Sequence, residues 1–292
     1  MSEIQQRIEQ VRNDREHGSR WLVRETIALL RDIAKDELIP PDERLSELWR
    51  AGVELAQARP AMAAIAGAVS RIVNAPGGLP GMALAASDLL AAYDTAPQRI
   101  ASFACPALQG TLMTLSISGT VLSVLRACAA TIERVIVLES RPRYEGRETA
   151  AELVRHGIAV TLITDAQADI FLPFSQAVVV GADSVLAEGG VLNKAGTALV
   201  AWAAHGHNVP FYALCETLKI SPQHWKGDLS QLEEKEAEEV LARPIAGVSV
   251  RNFYFDYTPP QLVTGVITER GILNRQQIQQ IASTLKPTSL SQ

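Results

Sequence analysis

From Leu112 onward the chain alternates short apolar β-type runs with amphipathic stretches, and this alternation restricts the fold more than any other feature. The runs are LMTLSI, VIVLES, VTLITD, AVVVGAD and VPFYALC, starting at Leu112, Val135, Val160, Ala177 and Val209. The intervening helices are expected to begin near Gly119, Glu145 and Lys194. Strands that are apolar on both faces and separated by helices belong to a parallel sheet covered on both sides. The expected fold class is therefore α/β, with a Rossmann-like doubly wound parallel-sheet domain over residues 105–292.

The first hundred residues contain no such runs. Leu22, Leu29, Leu30 and Ile33 fall on one helical face, as do Leu45, Leu48 and Trp49, which predicts helices. Breaks are expected at Ile39-Pro40-Pro41, at Arg59-Pro60 and across Asn74 to Gly81. A further helix is expected from about Ser87 to just before Pro106. This gives a helical N-terminal domain over residues 1–104.

Composition narrows the function classes. A net charge of -5 gives no electrostatic reason to bind nucleic acid or an acidic membrane surface. The opening MSEIQQRIEQVRNDREHGSR lacks the apolar centre of a signal peptide, and the Ala-rich stretch from Pro60 to Ala75 is interrupted by Arg71. A cytoplasmic protein is expected. Cys105, Cys128 and Cys215 are too few and too unevenly spaced for a disulfide framework or a zinc site, and are expected to be buried small hydrophobes. The five histidines are scattered; His205 and His207 do not share a helical face, so no metal is expected. Dinucleotide, P-loop, zincin and serine-hydrolase signatures are absent, and no cofactor is expected.

In open parallel sheets, ligands sit beyond the carboxyl ends of the strands, near helix N-termini with unpaired N–H groups. The residues at those ends are Ser116, Ser118 and Gly119; Arg141, Arg143 and Arg147; Asp165; Asp183, with Asn193 and Lys194 at the next helix start; and Glu216, Thr217 and Lys219. Every end is polar and three carry cations, which suits a phosphorylated, hydroxyl-rich small molecule. Singly, each residue also fits a loop role. The arginines can form a solvated face, Asp183 can cap a turn, Asn193 can cap a helix, and Gly189 and Gly190 can supply turn geometry.

The stretches GADSVLAEGGVLNKAGT and VPFYALCETLKI, with ESRPRYEGRETAAEL, VTLITDAQ and FDYTPPQLVTGVITERG, closely resemble one family. It comprises the regulatory alpha, beta and delta subunits of initiation factor 2B and two isomerase relatives, methylthioribose-1-phosphate isomerase and archaeal ribose-1,5-bisphosphate isomerase. The resemblance runs from Leu112 to about Leu273 and is weaker before that. It implies a sugar-phosphate pocket between the two domains and aldose-phosphate to ketose-phosphate isomerase-like chemistry. The alternative it implies is a catalytically silent sugar-phosphate or nucleotide sensor, or a regulatory subunit. By resemblance Asp183 is catalytic, Asn193 and Lys194 contact substrate, and Lys219 and Ser118 occupy substrate-binding positions. The GSRWLVRE stretch, with Arg20, is similar to a phosphate-contacting segment. A homodimer through the C-terminal domain is also implied.

One position departs from the isomerases. Their second catalytic group is a cysteine in a Thr-His-Cys sequence, where this chain has Thr114-Leu115-Ser116. A thiol with a reference pKa of about 8.5 exchanges a proton near neutrality far more readily than an alcohol. In the isomerase reading Ser116 is expected to polarise the reacting centre; the non-catalytic subunits of the family also lack the cysteine, which is the ground for the binding alternative.

Overall fold

The computed structural model describes residues 2–14 and 17–285. Five helices come first: α1 (Glu3–Asn13), α2 (Ser19–Lys35), α3 (Pro41–Ala58), α4 (Ala63–Val73) and α5 (Gly78–Ala104). Pro41 opens α3, where a missing N–H loses no helical bond. Helix α5 begins at Gly78, nine residues before the expected Ser87. Pro80 lies in its first turn, where N–H groups have no intrahelical acceptor, so it does not break the helix.

The second half alternates as expected: β1 (Gly110–Leu115), α6 (Gly119–Ala127), β2 (Ile132–Leu138), α7 (Glu145–Arg155), β3 (Val160–Ile163), α8 (Ala168–Phe171) and β4 (Ala177–Gly181). Next come β5 (Ser184–Val185), β6 (Val191–Lys194), α9 (Thr197–Gly206), β7 (Phe211–Leu214), β8 (Phe255–Thr258), β9 (Gly265–Thr268), β10 (Gly271–Leu273) and α10 (Arg275–Thr284). The main sheet has the order β10-β9-β7-β4-β1-β2-β3. Its neighbours are parallel except for β10, which turns back antiparallel on β9. Among the described residues no helix is long and apolar enough to cross a membrane.

Asn193 and Lys194 are not at a helix start. They end β6, part of a separate antiparallel sheet of order β5-β6-β8, and α9 begins three residues later behind Gly196. The pairing of Asn193 with Asp256 and of Lys194 with Phe255 supplies the strand geometry, a contact between segments some sixty residues apart that local periodicity does not register. The β5–β6 turn uses its glycine pair: Gly189 has φ +90, and a Cβ on Gly190 would stand 2.3 Å from the Tyr257 ring.

Cys105 and Cys128 are not two separate buried thiols, as expected; they form a disulfide with Cα atoms 5.1 Å apart. Each caps the C-terminus of a helix, α5 and α6 respectively. Because those helices pack against one another, the pairing is set by their docking, which the spacing in sequence does not report. Cys215 is free and buried, as expected.

Three apolar clusters form the core. Two flank the main sheet, and the end of α5, through Ile100, Ala101 and Ala104, belongs to one of them. The third gathers α1 to α5 and extends to Leu186, Leu192, Leu218 and Phe255 around the small sheet. Each fully buried Leu or Ile here contributes about 1.5–3 kcal/mol relative to exposure. The helical region is thereby held against the small sheet and the turn after β7.

Candidate active site

Strand order runs outward from β1 in both directions, towards β2 and β3 on one side and β4 and β7 on the other. The connections after β1 and β4 therefore diverge and leave a crevice at the carboxyl edge, the place where such sheets bind ligands. A cleft of about 890 Å³ opens there, lined by the ends of β1 and β4, the small sheet, the start of α7 and the region around the start of α2.

The sheet edge is tied together strand by strand. Asp165, after β3, accepts hydrogen bonds from the backbone N–H groups of Ser140 and Arg141, each at 2.8 Å. Ser140 Oγ in turn accepts from the Ser116 N–H at 2.6 Å, and the Ser116 carbonyl accepts from Thr149 Oγ1 at 2.6 Å. These contacts hold Ser116 in the left-handed region, φ 60, a conformation that non-glycine residues adopt at a cost. Ser116 lies on the cleft wall. Ser118 caps α6, its Oγ accepting from the Val121 N–H at 3.4 Å. Across from it, a Cβ on Gly181 would stand 2.8 Å from Ser118 Oγ, so the end of β4 approaches the start of α6 only because residue 181 lacks a side chain.

Asp183 follows β4 and is only half-buried by its surface, with its N–H donating to the Leu192 carbonyl at 2.9 Å. Burial raises its carboxyl pKa, against the opposing pull of the Lys219 charge and a hydrogen bond from Ser19. The net direction is upward, so this cleft-wall carboxyl keeps its proton to higher pH than an ordinary aspartate. Lys219 is 4% exposed; its Nζ donates to the Ala182 carbonyl at 2.6 Å and to Ser19 Oγ at 2.9 Å. An ammonium has three donors, so Lys219 spends two on positioning the Asp183 turn against α2.

Lys194 is buried and pairs with Glu145 Oε1 at 2.6 Å, at the start of α7. It also lies 4.5 Å from the centre of the Tyr254 ring. Glu145 Oε2 is buried with no hydrogen-bond partner. Asn193 donates to Thr197 Oγ1 at 3.0 Å, which fixes its amide below the cleft. Arg20 lines the cleft too, but its guanidinium is engaged: Nη1 meets Glu216 Oε1 at 2.6 Å and Nη2 donates to the Tyr93 carbonyl at 2.7 Å.

Arg141, expected with Arg143 and Arg147 at the end of β2, is not on the cleft wall, and neither are the strand-end residues Asp165, Glu216 and Thr217. Arg141 Nη2 donates to the Val240 carbonyl at 3.0 Å and its Nη1 to Tyr144 Oη at 3.0 Å. The sharp turn after β2 carries it away, and Arg143 of that turn and Arg147 in the first turn of α7 line the cleft instead.

Among the described residues nine arginines and lysines line the cleft, Arg12, Arg20, Arg24, Arg59, Arg143, Arg147, Lys194, Lys219 and Lys235, against four carboxylates, Asp14, Glu145, Glu148 and Asp183. In an acidic chain this local excess favours an anionic ligand. The sequence reading did not single out Ser19, Arg59, Glu145 or Tyr254. Glu145 lies within ESRPRYEGRETAAEL and Ser19 within GSRWLVRE, but neither stretch marks them individually; Tyr254 lies just before the FDYTPP stretch, and Arg59 reads only as part of a Pro-marked break. His17 stacks on Trp21 with ring centres 4.1 Å apart, and both line the cleft. Cys215 does not line it, and burial pushes its thiol pKa far up.

The architecture defines an α/β protein with a helical N-terminal region and a cation-rich cleft at the reversal of strand order. The chain belongs to the initiation factor 2 subunit family, whose sequence pattern matches residues 15–275. It is 33% identical over 91% of its length to a Pyrococcus horikoshii protein named putative translation initiation factor eIF-2B subunit 2-like, covering 94% of that protein. A ribose 1,5-bisphosphate isomerase from Archaeoglobus fulgidus is 42% identical over 167 residues, 56% of this chain and 53% of the relative. A methylthioribose-1-phosphate isomerase from Albidiferax ferrireducens is 43% identical over 54% of this chain and 47% of the relative. The matched segment thus spans about half the length of those isomerases. Among solved structures, the translation initiation factor eIF-2B of Pyrococcus horikoshii superposes with a TM-score of 0.82 at 30% identity, covering 94% of this chain and 98% of that one.

Proposed function

We propose that the chain binds a phosphorylated sugar in this cleft and converts an aldose phosphate to the corresponding ketose phosphate. The observation that supports the reading best is that Asp183, with its raised pKa, shares a cation-rich cleft wall at the sheet's carboxyl edge with Lys219 and Ser116. Similarity to two sugar-phosphate isomerases supports it. In an aldose 1-phosphate the hydrogen on C2 moves to C1, the C2 hydroxyl becomes a carbonyl, and the hydroxyl proton passes to the ring oxygen as the ring opens. Asp183 carries that proton, Ser116 hydrogen-bonds the reacting oxygen, and Lys194 and Lys219 stabilise the negative charge that develops. Asn193 and Ser118 shape the wall around the sugar. The helices of residues 1–104 and the sheet domain of residues 105–292 close on the ligand from two sides, in a cytoplasmic homodimer.

A second reading, a silent sugar-phosphate or nucleotide sensor or regulatory subunit, is favoured by one observation: no cysteine lines the cleft. The two are separated by proton NMR on pentose 1-phosphates and 1,5-bisphosphates. Isomerase chemistry gives ketose with the wild type, none with Asp183→Asn or Ser116→Ala, and a rate raised by Ser116→Cys. Binding without turnover by wild type and Ser116→Ala alike establishes the sensor and removes the isomerase for those sugars.

A further inference from the structure

A second cavity, of about 980 Å³, lies between α4 and the Leu218–Lys226 segment. Its size falls at the top of the range of about 300–1,000 Å³ typical of small-molecule sites. Among the described residues Arg59, Arg71, Lys226 and His224 line it, and no aspartate or glutamate does. In a chain with 32 acidic and 27 basic residues, an acid-free basic wall is not the average surface. The floor is apolar, with Met62, Ala66, Leu186, Leu192, Leu218 and Ile220.

The cations are incompletely satisfied. Arg59 Nη1 donates to the Asp14 carbonyl at 3.0 Å and its Nη2 lies 3.6 Å from Glu233 Oε2, but its Nε is buried with no hydrogen-bond partner. Gln231 Oε1, on the same wall, is also buried without a partner. His224 Nδ1 lies 3.0 Å from Glu188 Oε2. Among the described residues neither Arg71 nor Lys226 has a carboxylate within salt-bridge distance. An unpaired buried donor such as Arg59 Nε is disfavoured and like charges facing one cavity repel, so an anionic group entering it relieves both, while the acceptor Gln231 Oε1 gains only from a hydroxyl or protonated oxygen of the head. The apolar floor adds a favourable contact for a hydrocarbon body, which a bare sugar phosphate does not offer.

We propose that this second cavity is a binding site for a small amphiphilic organic anion, a phosphate or carboxylate head on an apolar body. The head meets Arg71, Lys226 and Arg59, and the body lies on Leu218 and Ile220. The proposal stands apart from the sugar-phosphate reading and survives its failure, because the residues that report on it lie outside the first cleft.

The test is methyl NMR on the full chain titrated with hexyl phosphate, with 1-hexanol as the neutral counterpart. Saturable shifts are expected at the Leu218, Ile220 and Leu186 methyls, while Leu115 and Ile117 report separately on the first cleft. Arg71→Glu and Lys226→Glu replace exposed side chains, and a dispersed methyl spectrum verifies that each variant is folded. Each is expected to weaken binding at least tenfold, and hexanol to bind at least tenfold more weakly than hexyl phosphate. Shifts confined to Leu115 and Ile117, equal affinity for hexanol, or unchanged affinity in both charge-reversal variants would overturn the proposal. So would shifts at Leu218 and Ile220 that follow protein concentration alone, since those assign the cavity to contact between copies.

Discussion

Arg20 of α2 and Glu216, just after β7, form a 2.6 Å ion pair between positions 196 residues apart. Glu216 also accepts from Thr120 Oγ1 at 3.1 Å, and its other oxygen is buried without a partner. The pair fastens the helical region to the sheet edge beside the cleft. Arg20 thus serves cleft assembly first, and its remaining donor capacity is small.

Removing one member of a buried pair strands the other, at a cost of about 3–5 kcal/mol. Arg20→Met is expected to destabilise the fold by roughly 3 kcal/mol, the low end, because the arginine side chain keeps 23% exposure. Arg20→Met with Glu216→Leu is expected to recover much of that loss. Urea unfolding of the four proteins of the cycle measures it. Additive losses would show that the pair does not hold the two regions together.

Lys194 and Lys219 carry different burdens, although both are buried. Lys219→Met removes the charge that opposes burial at Asp183, so the Asp183 pKa rises further. Affinity for ribose 5-phosphate should fall tenfold or more, and the pH dependence of binding should move upward. Lys194→Met should weaken binding similarly without that displacement, while costing stability through the stranded Glu145. Calorimetric titration across pH distinguishes them; unchanged affinity in both variants would make them scaffold alone.

Asp256 makes a prediction about pH. Its Oδ2 accepts from the N–H groups of Gly196 and Ala198, at 2.7 and 3.1 Å, at the start of α9. Burial outweighs those bonds and raises its pKa to about 7, and its Oδ1 is buried without a partner. With the folded value raised above the unfolded one, the unfolded chain gives up this proton first as pH rises. Stability from this group is therefore present at acid pH and lost between about pH 4 and pH 7. Asp256→Asn keeps an acceptor for the helix start and should remove this decline. Denaturant unfolding from pH 4 to 8 is the check: parallel curves for wild type and variant would refute the assignment.

How far sequence alone reached follows from which contacts are local. The five β runs gave the parallel sheet because burial on both faces writes itself into consecutive residues, as in AVVVG of β4, every residue of which is buried. Ser116, Ser118, Asp183 and Lys219 are legible as cleft candidates because they lie in the short segments that follow β1, β4 and β7. Lys194 was assigned to the cleft but to the wrong element, since its strand is defined by Phe255 across the small sheet. Arg141 was misplaced by two residues' worth of turn, which sends Arg143 inward. Ser19 lies in the GSRWLVRE stretch, but its role is not legible there because nothing near it in sequence indicates that Lys219, 200 residues away, donates to it.

The outer face of the sheet domain bears on assembly. Helix α8 packs beside α9, and around them Ile170 is 61% exposed, Phe174 66%, Leu199 60% and Trp202 54%. Leu199 and Trp202 are three residues apart on α9 and share a face. Apolar side chains of this size clustered in the open mark an interaction surface more often than a solvated one. The expected occupant is a second copy of the chain, consistent with the assembly proposed above. Trp202→Glu places a charge at the centre of that face, where an interface core tolerates it poorly, and the exposed position should leave the fold intact. Light scattering coupled to size exclusion is expected to give a dimer mass for wild type and a monomer mass for the variant, with matching circular dichroism. A wild type that stays monomeric, or a Trp202→Glu chain that stays dimeric, would assign this face to another role.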